Sequence, residues 1–321
     1  MTPPRTRYHI GADENGLGPR LGPMLVTAVM ARVTPEGERL VSRPARGSLA
    51  DRLGDSKQLV AHGDVALGEA WARALASRGF GRVKLAGQTP DDLVESLSSH
   101  DRAALRAPCP AHVEAQCWSA EGERFEADDA LVAQVEGDLD KLAAKGVEIV
   151  GVRSEILCAK RLNEGLDAGQ SRFVLDLHAM ERLVMELRAT VTEEVTAVCG
   201  KVGGFGKYGK VFGPLGGRLF ATLEEGRARS AYHFPGLGEI AFVRDGDATD
   251  LCVAMASLVG KYLRELLMGR VARHYRKDAP ELPDASGYYD PVTTRFIDAT
   301  RLVRERRAIP EGCFERRGKG G

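Results

Sequence analysis

Two adjacent acids, Asp13 and Glu14, stand directly before a turn that begins at Asn15-Gly16. On a regular strand neighbouring side chains point to opposite faces, so this pair serves one site only if the strand ends or bulges there. Asn15-Gly16 supplies such a break. Carboxylates at a strand end can bind Mg²⁺ or Mn²⁺, which prefer oxygen ligands. For the pair alone, a solvated acidic turn is the simpler alternative.

A third acid, Asp247, precedes an apolar run of helical periodicity over 248–274. Asp247 followed by Asp250 at this place is typical of a helix N-cap, where a carboxylate accepts hydrogen bonds from free backbone N–H groups. A capping acid can also hold a metal ion, so the two roles are compatible.

The elements that must position these acids alternate between strands and helices. Residues 7–34 predict two strands around a glycine-rich turn, the second of them buried. Further strands are predicted at 147–152, 195–199 and 240–243, and helices at 64–77, 127–145, 154–165, 172–190 and 248–274. This alternation predicts an α/β fold.

Composition bounds the class of protein. The 321 residues are 43% apolar, which predicts a packed core, and 45 basic side chains balance 45 acidic ones. A net charge of zero excludes a polybasic or an acidic solvating protein, yet one basic face remains compatible with nucleic-acid binding. Six cysteines without a C-x-x-C pair favour reduced thiols in a cytoplasmic protein. No apolar run is long enough for a membrane span.

Four short motifs resemble type 2 ribonuclease H (ribonuclease HII). Residues 11–23 match D-E-x-G-x-G-P-x-x-G-P at all seven fixed positions, which is far more specific than an isolated G-x-G. Residues 55–59 match D-S-K-x-L, residues 246–268 are similar to the family's G-D segment and following helix, and Gly287-Tyr288 resembles its late G-Y. The motifs follow the family's order.

The resemblance implies an RNase H-like fold, a mixed central sheet flanked by helices. We expect the protein to be a monomer. It assigns 1–300 to a catalytic domain in which about 60–146 is an insertion or elaboration. Residues 301–321 are interpreted as a basic C-terminal tail.

The resemblance also implies a metal-dependent endoribonuclease that hydrolyses the RNA strand of RNA–DNA hybrids, or ribonucleotides within DNA, by a two-metal mechanism. Asp13 and Glu14 match the first two acids of the family, and Asp247 matches the last. These three are the predicted catalytic and metal-binding residues, with Mg²⁺ or Mn²⁺ as the cofactor.

Two positions depart from the family. Cys199 stands where the remaining acid is expected, and a thiol is a poor ligand for Mg²⁺. A small buried core residue is the favoured interpretation of Cys199, and Asp245 is a candidate to compensate because i and i+2 share a face on a strand. Leu17 replaces a basic residue between two glycines, so Arg20 is a candidate to supply that charge.

The predicted nucleic-acid contacts are glycines, basic residues and one aromatic. Backbone N–H groups and cationic side chains bind phosphates, and an aromatic ring stacks on a sugar or base. Solvated surface residues, or an aromatic packed on the sheet, are the alternatives. The candidates are Gly16, Gly18, Arg20, Lys57, Lys201, Lys207, Lys261 and Tyr288.

A rival hypothesis is an RNase H-fold protein that binds hybrids or structured nucleic acid with weakened or absent catalysis. Cys199 and Leu17 favour that rival. The clustered acids favour the enzyme, because a protein that only binds nucleic acid has no need of carboxylates that repel phosphate.

Overall fold

A seven-stranded mixed sheet is the centre of the fold in the computed structural model, which describes residues 7–78, 89–107, 116–203 and 205–318. The strands are β1 (Arg7–Asn15), β2 (Met24–Val33), β3 (Val147–Leu157), β4 (Val195–Gly200), β5 (Ala221–Glu225), β6 (Arg229–Phe234) and β7 (Gly238–Val243). Their order across the sheet is β3-β2-β1-β4-β7-β6-β5. Strands β1, β4 and β7 run parallel, and their neighbours pair antiparallel. The expected mixed sheet flanked by helices is confirmed.

Helices cover both faces of this sheet. They are α1 (Pro35–Val41), α2 (Ser56–Leu59), α3 (Ala66–Ala76), α4 (Pro90–Leu97), α5 (Arg102–Leu105), α6 (Asp129–Ala144), α7 (Ala159–Asp167), α8 (Arg172–Arg188), α9 (Leu251–Arg276), α10 (Pro291–Arg306) and α11 (Glu311–Phe314). Within the described ranges, no helix is both long enough and apolar enough to cross a bilayer.

Two core clusters lie on the two faces because strand side chains alternate. Leu25 and Val29 of β2 pack with α3, α6 and α9, whereas Val26 and Ala28 pack with α8. The face that carries α9 and the face that carries α8 are therefore both buried, and β2 between them is almost entirely apolar.

Most predicted elements are confirmed, one boundary is shifted, and several elements were not predicted, among them α4, α10 and one hairpin. The strand predicted at 147–152 continues to Leu157, because it pairs with β2 as far as Met24, so the helix predicted at 154–165 begins only at Ala159. The hairpin of β5 and β6 was not predicted. Every residue of β5 is exposed, so it lacks the apolar alternation that marks a strand.

The segment that joins β2 to β3 contains α1 to α6 and includes the stretch 60–146 that matches no family motif. Its helices α3 and α6 do not form a separate body. Helix α3 packs against α9, and α6 packs against α3 and β3, in one core cluster that includes Trp71 and Leu139. The elaboration therefore thickens the α9 face of the sheet.

The interpretation of 301–321 as a basic tail is wrong for the residues described there. Helix α10 runs across residue 300, and its Val303 packs with Phe314 of α11 in a third core cluster. Arg316 is only 2% exposed. The C-terminal segment is part of the domain because apolar residues among its basic ones, such as Val303 and Phe314, pack into this core cluster.

Candidate metal and nucleic-acid site

The predicted acids lie at one edge of the sheet, at the carboxyl ends of three neighbouring parallel strands. Ala12 of β1 is opposite Cys199 of β4, and Cys199 is opposite Phe242 of β7. Asp13 and Glu14 end β1, and Asp247 follows β7 within a short 3₁₀ turn, Gly246–Ala248. Ligand sites of open α/β sheets occur at such carboxyl ends.

Asp13 lies on the α9 face of β1, beside the backbone of β4. Its Oδ1 is 2.5 Å from the position that a Cβ on Gly200 would occupy. Burial, together with the charges of Glu14 and Asp247, raises the pKa of Asp13 to about 8, against a hydrogen bond from Ser257. Desolvated acids that repel one another are typical of sites that bind cations.

Glu14 points toward the opposite face, because the break predicted at Asn15-Gly16 comes only after both acids have been placed on the strand. Strand β1 keeps its pairing with β2 through Asn15, and the chain leaves the strand only at Gly16, where φ is +87°. Glu14 Oε2 accepts a hydrogen bond of 3.1 Å from the Leu17 N–H. Burial raises the pKa of Glu14, and that hydrogen bond and the charges of Lys57 and Arg316 oppose the rise.

Asp247 is not the helix cap. Asp250 caps α9, its Oδ1 accepting from the N–H groups of Cys252 and Val253, while its Oδ2 lies 2.7 Å from His9 Nε2. The carboxylate of Asp247 therefore takes no part in capping α9. Burial and the charge of Asp55 raise the pKa of Asp247.

Asp245 does not share a strand face with Asp247, so the premise for its compensating role is wrong. Strand β7 ends at Val243, and Asp245 has a left-handed backbone with φ of 55°. Its side chain is 78% exposed and lies 3.6 Å from the Arg244 guanidinium. Asp245 is a surface acid.

Cys199 is a core residue. It is 0% exposed and belongs to the cluster on the α8 face, together with Ala12 and Ala197. Burial raises the pKa of its thiol well above the ordinary value, and the nearby Asp176 adds to the rise. A protonated thiol contributes no charge to a metal site.

Asp176 was not singled out from the sequence, yet it is a buried acid on which the charges of Glu14 and Asp13 act. It lies on the buried face of α8, 1% exposed, between Leu175 and Leu177. Burial and the charges of Glu14 and Asp13 raise its pKa well above the ordinary range. A carboxylate within the apolar run of a predicted helix was the available signal.

The donor chemistry of these acids fits a hard divalent ion, since carboxylate oxygens are the ligands that Mg²⁺ and Mn²⁺ prefer. Among the residues that the structure describes, both oxygens of Asp176 lack a hydrogen-bond partner. In the described part of the chain, however, no three His, Cys, Asp or Glu side chains are grouped as a metal ion requires. Asp13 and Glu14 point to opposite faces of β1, so side-chain rotation is needed to bring their oxygens together.

The glycine-rich loop at 16–23 rests on buried arginines. Arg316 donates to the carbonyl of Gly16 at 2.5 Å and to that of Gly22 at 2.8 and 2.6 Å. Arg172 donates to the carbonyls of Leu17 and Pro19 at 3.2 and 3.4 Å. Burial, with the charges of Arg172 and of a third arginine, lowers the pKa of Arg316 to about 9.

Leu17 and Gly18 differ in their surroundings. Leu17 packs against the core cluster on the α8 face, which accounts for an apolar residue at this position. Gly18 is exposed, and a Cβ built there would meet no atom within 4 Å. The loop backbone at Gly18 is therefore open to an incoming ligand.

The predicted phosphate contact Lys57 and the predicted stacking residue Tyr288 both lie on the α9 side of the sheet. Lys57 is exposed at the start of α2, and its charge acts on both Glu14 and Asp247. Tyr288 is 40% exposed, with the Arg264 guanidinium 4.5 Å from its ring centroid.

The other predicted cations are engaged elsewhere. Arg20 pairs with Glu315, and Lys261 Nζ lies 3.2 Å from Glu265. Lys201 donates internally to Gly226 and Ser230, and Lys207 is an exposed residue 3.5 Å from Glu225 on the far edge of the sheet. The structure thus gives Lys201 an internal role in place of the predicted phosphate contact.

No protein-family model matches the chain, and no curated protein matches it significantly. Among solved structures, it is similar to the RNase HII of a PCNA:RNase HII complex from Archaeoglobus fulgidus, at 14% identity, covering 97% of this chain and 95% of that one with a TM-score of 0.41. It is also similar to the ribonuclease H2 from Pyrococcus horikoshii, at 12% identity, covering 96% of this chain and 92% of that one with a TM-score of 0.41. A third similar structure is Bst-RNase HIII in complex with Mn²⁺, at 12% identity, covering 92% of this chain and 71% of that one with a TM-score of 0.37. Likenesses this distant establish nothing about activity.

Proposed function

We propose that this protein is a metal-dependent endoribonuclease that hydrolyses the RNA strand of RNA–DNA hybrids or ribonucleotides within DNA. The observation that carries the proposal is the position of Asp13, Glu14 and Asp247. They stand at one sheet edge beside a glycine loop, in the order and spacing of the ribonuclease HII motifs.

The electrostatics support the same function. Burial and the charges of Glu14 and Asp247 raise the pKa of Asp13, and burial and the charge of Asp55 raise that of Asp247, so divalent cations that neutralise these acids should bind well. Bound Mg²⁺ or Mn²⁺ would supply a polarised phosphate and an activated water. Within the protein, Asp13, Glu14 and Asp247 would hold and orient the ions.

The protein surface around the acids suits a nucleic-acid strand. Lys57 offers an exposed ammonium beside the acids, and the open backbone at Gly18 offers an N–H group to a phosphate or sugar. Tyr288 offers a partly exposed ring. No basic side chain stands at Leu17, so we expect hybrids to be better substrates than single ribonucleotides embedded in DNA.

The test is incubation of the purified protein with an RNA–DNA hybrid and with duplex DNA that carries one ribonucleotide, in Mg²⁺ and in Mn²⁺. Wild type should cut the hybrid, Asp13→Asn should abolish cutting, and Asp245→Asn should leave it unchanged as the matched control. A wild-type protein that binds both substrates and cuts neither would refute the proposal in favour of a binding protein.

A further inference from the structure

Asp176 is a buried acid that has no hydrogen-bond partner among the described residues. Its carboxylate is 1% exposed, and within the described ranges neither oxygen accepts or donates a hydrogen bond. A buried charge without a partner costs several kcal/mol, so proteins seldom keep one without a ligand or a proton to neutralise it. By contrast Glu181, one turn further along α8, accepts hydrogen bonds from the N–H groups of Gly213 and Leu215.

The position of Asp176 relates it to the acids of the proposed site. Helix α8 packs on β1 and β4, and Asp176 is near enough to Glu14 and Asp13 for their charges to act on it. Glu14 is on the α8 face of β1 by strand alternation. The carboxylate therefore approaches the site from the side opposite α9.

Strand β4 does not supply an acid at this place. Cys199 faces α8 as a neutral thiol, and Gly200 has no side chain. A Cβ at Gly200 would lie 2.5 Å from Asp13 Oδ1, so no larger residue fits there without moving Asp13. Helix α8 packs on β4, and Leu175 and Leu177, which flank Asp176, belong to the same core cluster as Cys199. In line with this packing, the charge of Asp176 adds to the rise in the pKa of the Cys199 thiol.

We infer that Asp176 supplies the carboxylate that strand β4 lacks, so that helix α8 contributes a ligand for Mg²⁺ or Mn²⁺ to the site of Asp13 and Glu14. This inference rests on the proposed function, because it takes those acids as ion ligands. It explains two features together, namely the neutral residue at position 199 and the unpartnered acid that faces it.

The experiment measures Mn²⁺ binding to the full-length protein without nucleic acid, by electron paramagnetic resonance of the free ion. Asp176→Asn should weaken binding by about tenfold or more, because affinity follows the number of charged ligands. Glu186→Gln, on the exposed side of the same helix, is the control and should bind as wild type does. The double variant Asp176→Asn with Cys199→Asp should regain affinity, since it returns one carboxylate to the same interface.

Unfolding temperatures in EDTA show whether each variant folds, and Asp176→Ser replaces Asp176→Asn if the amide is not tolerated. Mn²⁺ binding that is equal in wild type and in the folded Asp176 variant would overturn the inference. Hybrid cleavage, measured on the same samples, separates the two proposals. If wild type cuts the hybrid and the Asp176 variant binds Mn²⁺ as tightly as wild type does, only the role of Asp176 is refuted. If wild type neither binds Mn²⁺ nor cuts the hybrid, the proposed function is refuted and the inference with it.

Discussion

Asp13 Oδ1 lies 2.5 Å from where a Cβ on Gly200 would stand, so the acid of β1 occupies the space that a side chain on β4 would need. Strands β1 and β4 run parallel, and Ala12 and Cys199 are the last registered pair before this point. The rotamer of Asp13 and the absence of a side chain at Gly200 therefore depend on each other.

Gly200→Ala should displace the Asp13 carboxylate and reduce hybrid cleavage about 100-fold, since displacements near 1 Å have effects of this size. The crowding should also lower the free energy of unfolding by about 1–3 kcal/mol. Gly137→Ala on α6 is the control, because a Cβ there meets no atom within 4 Å. It should stabilise the helix by about 0.5–1 kcal/mol. Cleavage of the hybrid by Gly200→Ala at the wild-type rate would contradict this prediction, because the position of the Asp13 carboxylate would then not limit cleavage.

Much of the fold could be predicted because its strands have clear patterns and turns. Strand β2 is a continuous apolar run, and glycines mark the turn before it. The hairpin of β5 and β6 could not be predicted, because β5 gains its conformation from pairing with β6 and buries no side chain.

The candidate site was predictable in its motif residues and less so in its geometry. The resemblance of their motifs to ribonuclease HII identifies Asp13, Glu14 and Asp247, but the faces to which Asp13 and Glu14 point depend on where β1 loses its partner. Asp176 comes to the site through tertiary packing of α8, which no local pattern encodes. The burial of Arg316 likewise depends on a loop 300 residues away, that of Gly16.

The stability of the metal-free protein should fall as pH rises from about 4 to about 8. The pKa of Asp13 is raised from 3.8 to about 8 in the folded state, so the folded protein binds more protons than the unfolded one over this interval. One such proton gives a slope of up to about 1.4 kcal/mol per pH unit. Urea unfolding in EDTA at several pH values measures it, and Asp13→Asn should flatten the profile. If wild type is as flat as the variant, Asp13 is ionised throughout.

Divalent ions should reverse this trend. Mn²⁺ binds the deprotonated carboxylates, so the rise in unfolding temperature that Mn²⁺ causes should be larger at pH 8 than at pH 6. Thermal unfolding with Mn²⁺ or EDTA at both values tests this. An equal rise at the two pH values, or the same rise in Asp13→Asn, would place the ion elsewhere on the protein.

The C-terminal segment should be required for stability. Arg316→Met keeps most of the side-chain volume but leaves the carbonyls of Gly16 and Gly22 without their donor, which should cost about 1–3 kcal/mol of unfolding free energy. Arg301→Met, on the exposed side of α10, should change it by less than about 0.5 kcal/mol. Denaturant unfolding compares the two. Equal effects would restore the interpretation of this segment as a solvated tail.

Lys57 should make a direct contribution to nucleic-acid affinity, and Lys207 should not. Lys57 is exposed beside the acids, whereas Lys207 pairs with β5, four strands from β1 and so about 19 Å away at the usual strand spacing. Lys57→Ala should weaken hybrid binding and lower the slope of log K against log salt by about one, the effect of one lost phosphate contact. Lys207→Ala should leave the slope unchanged. Fluorescence anisotropy with the inactive Asp13→Asn background, in Ca²⁺ at several salt concentrations, measures both. A slope altered by Lys207→Ala and not by Lys57→Ala would move the bound strand to the β5 edge of the sheet.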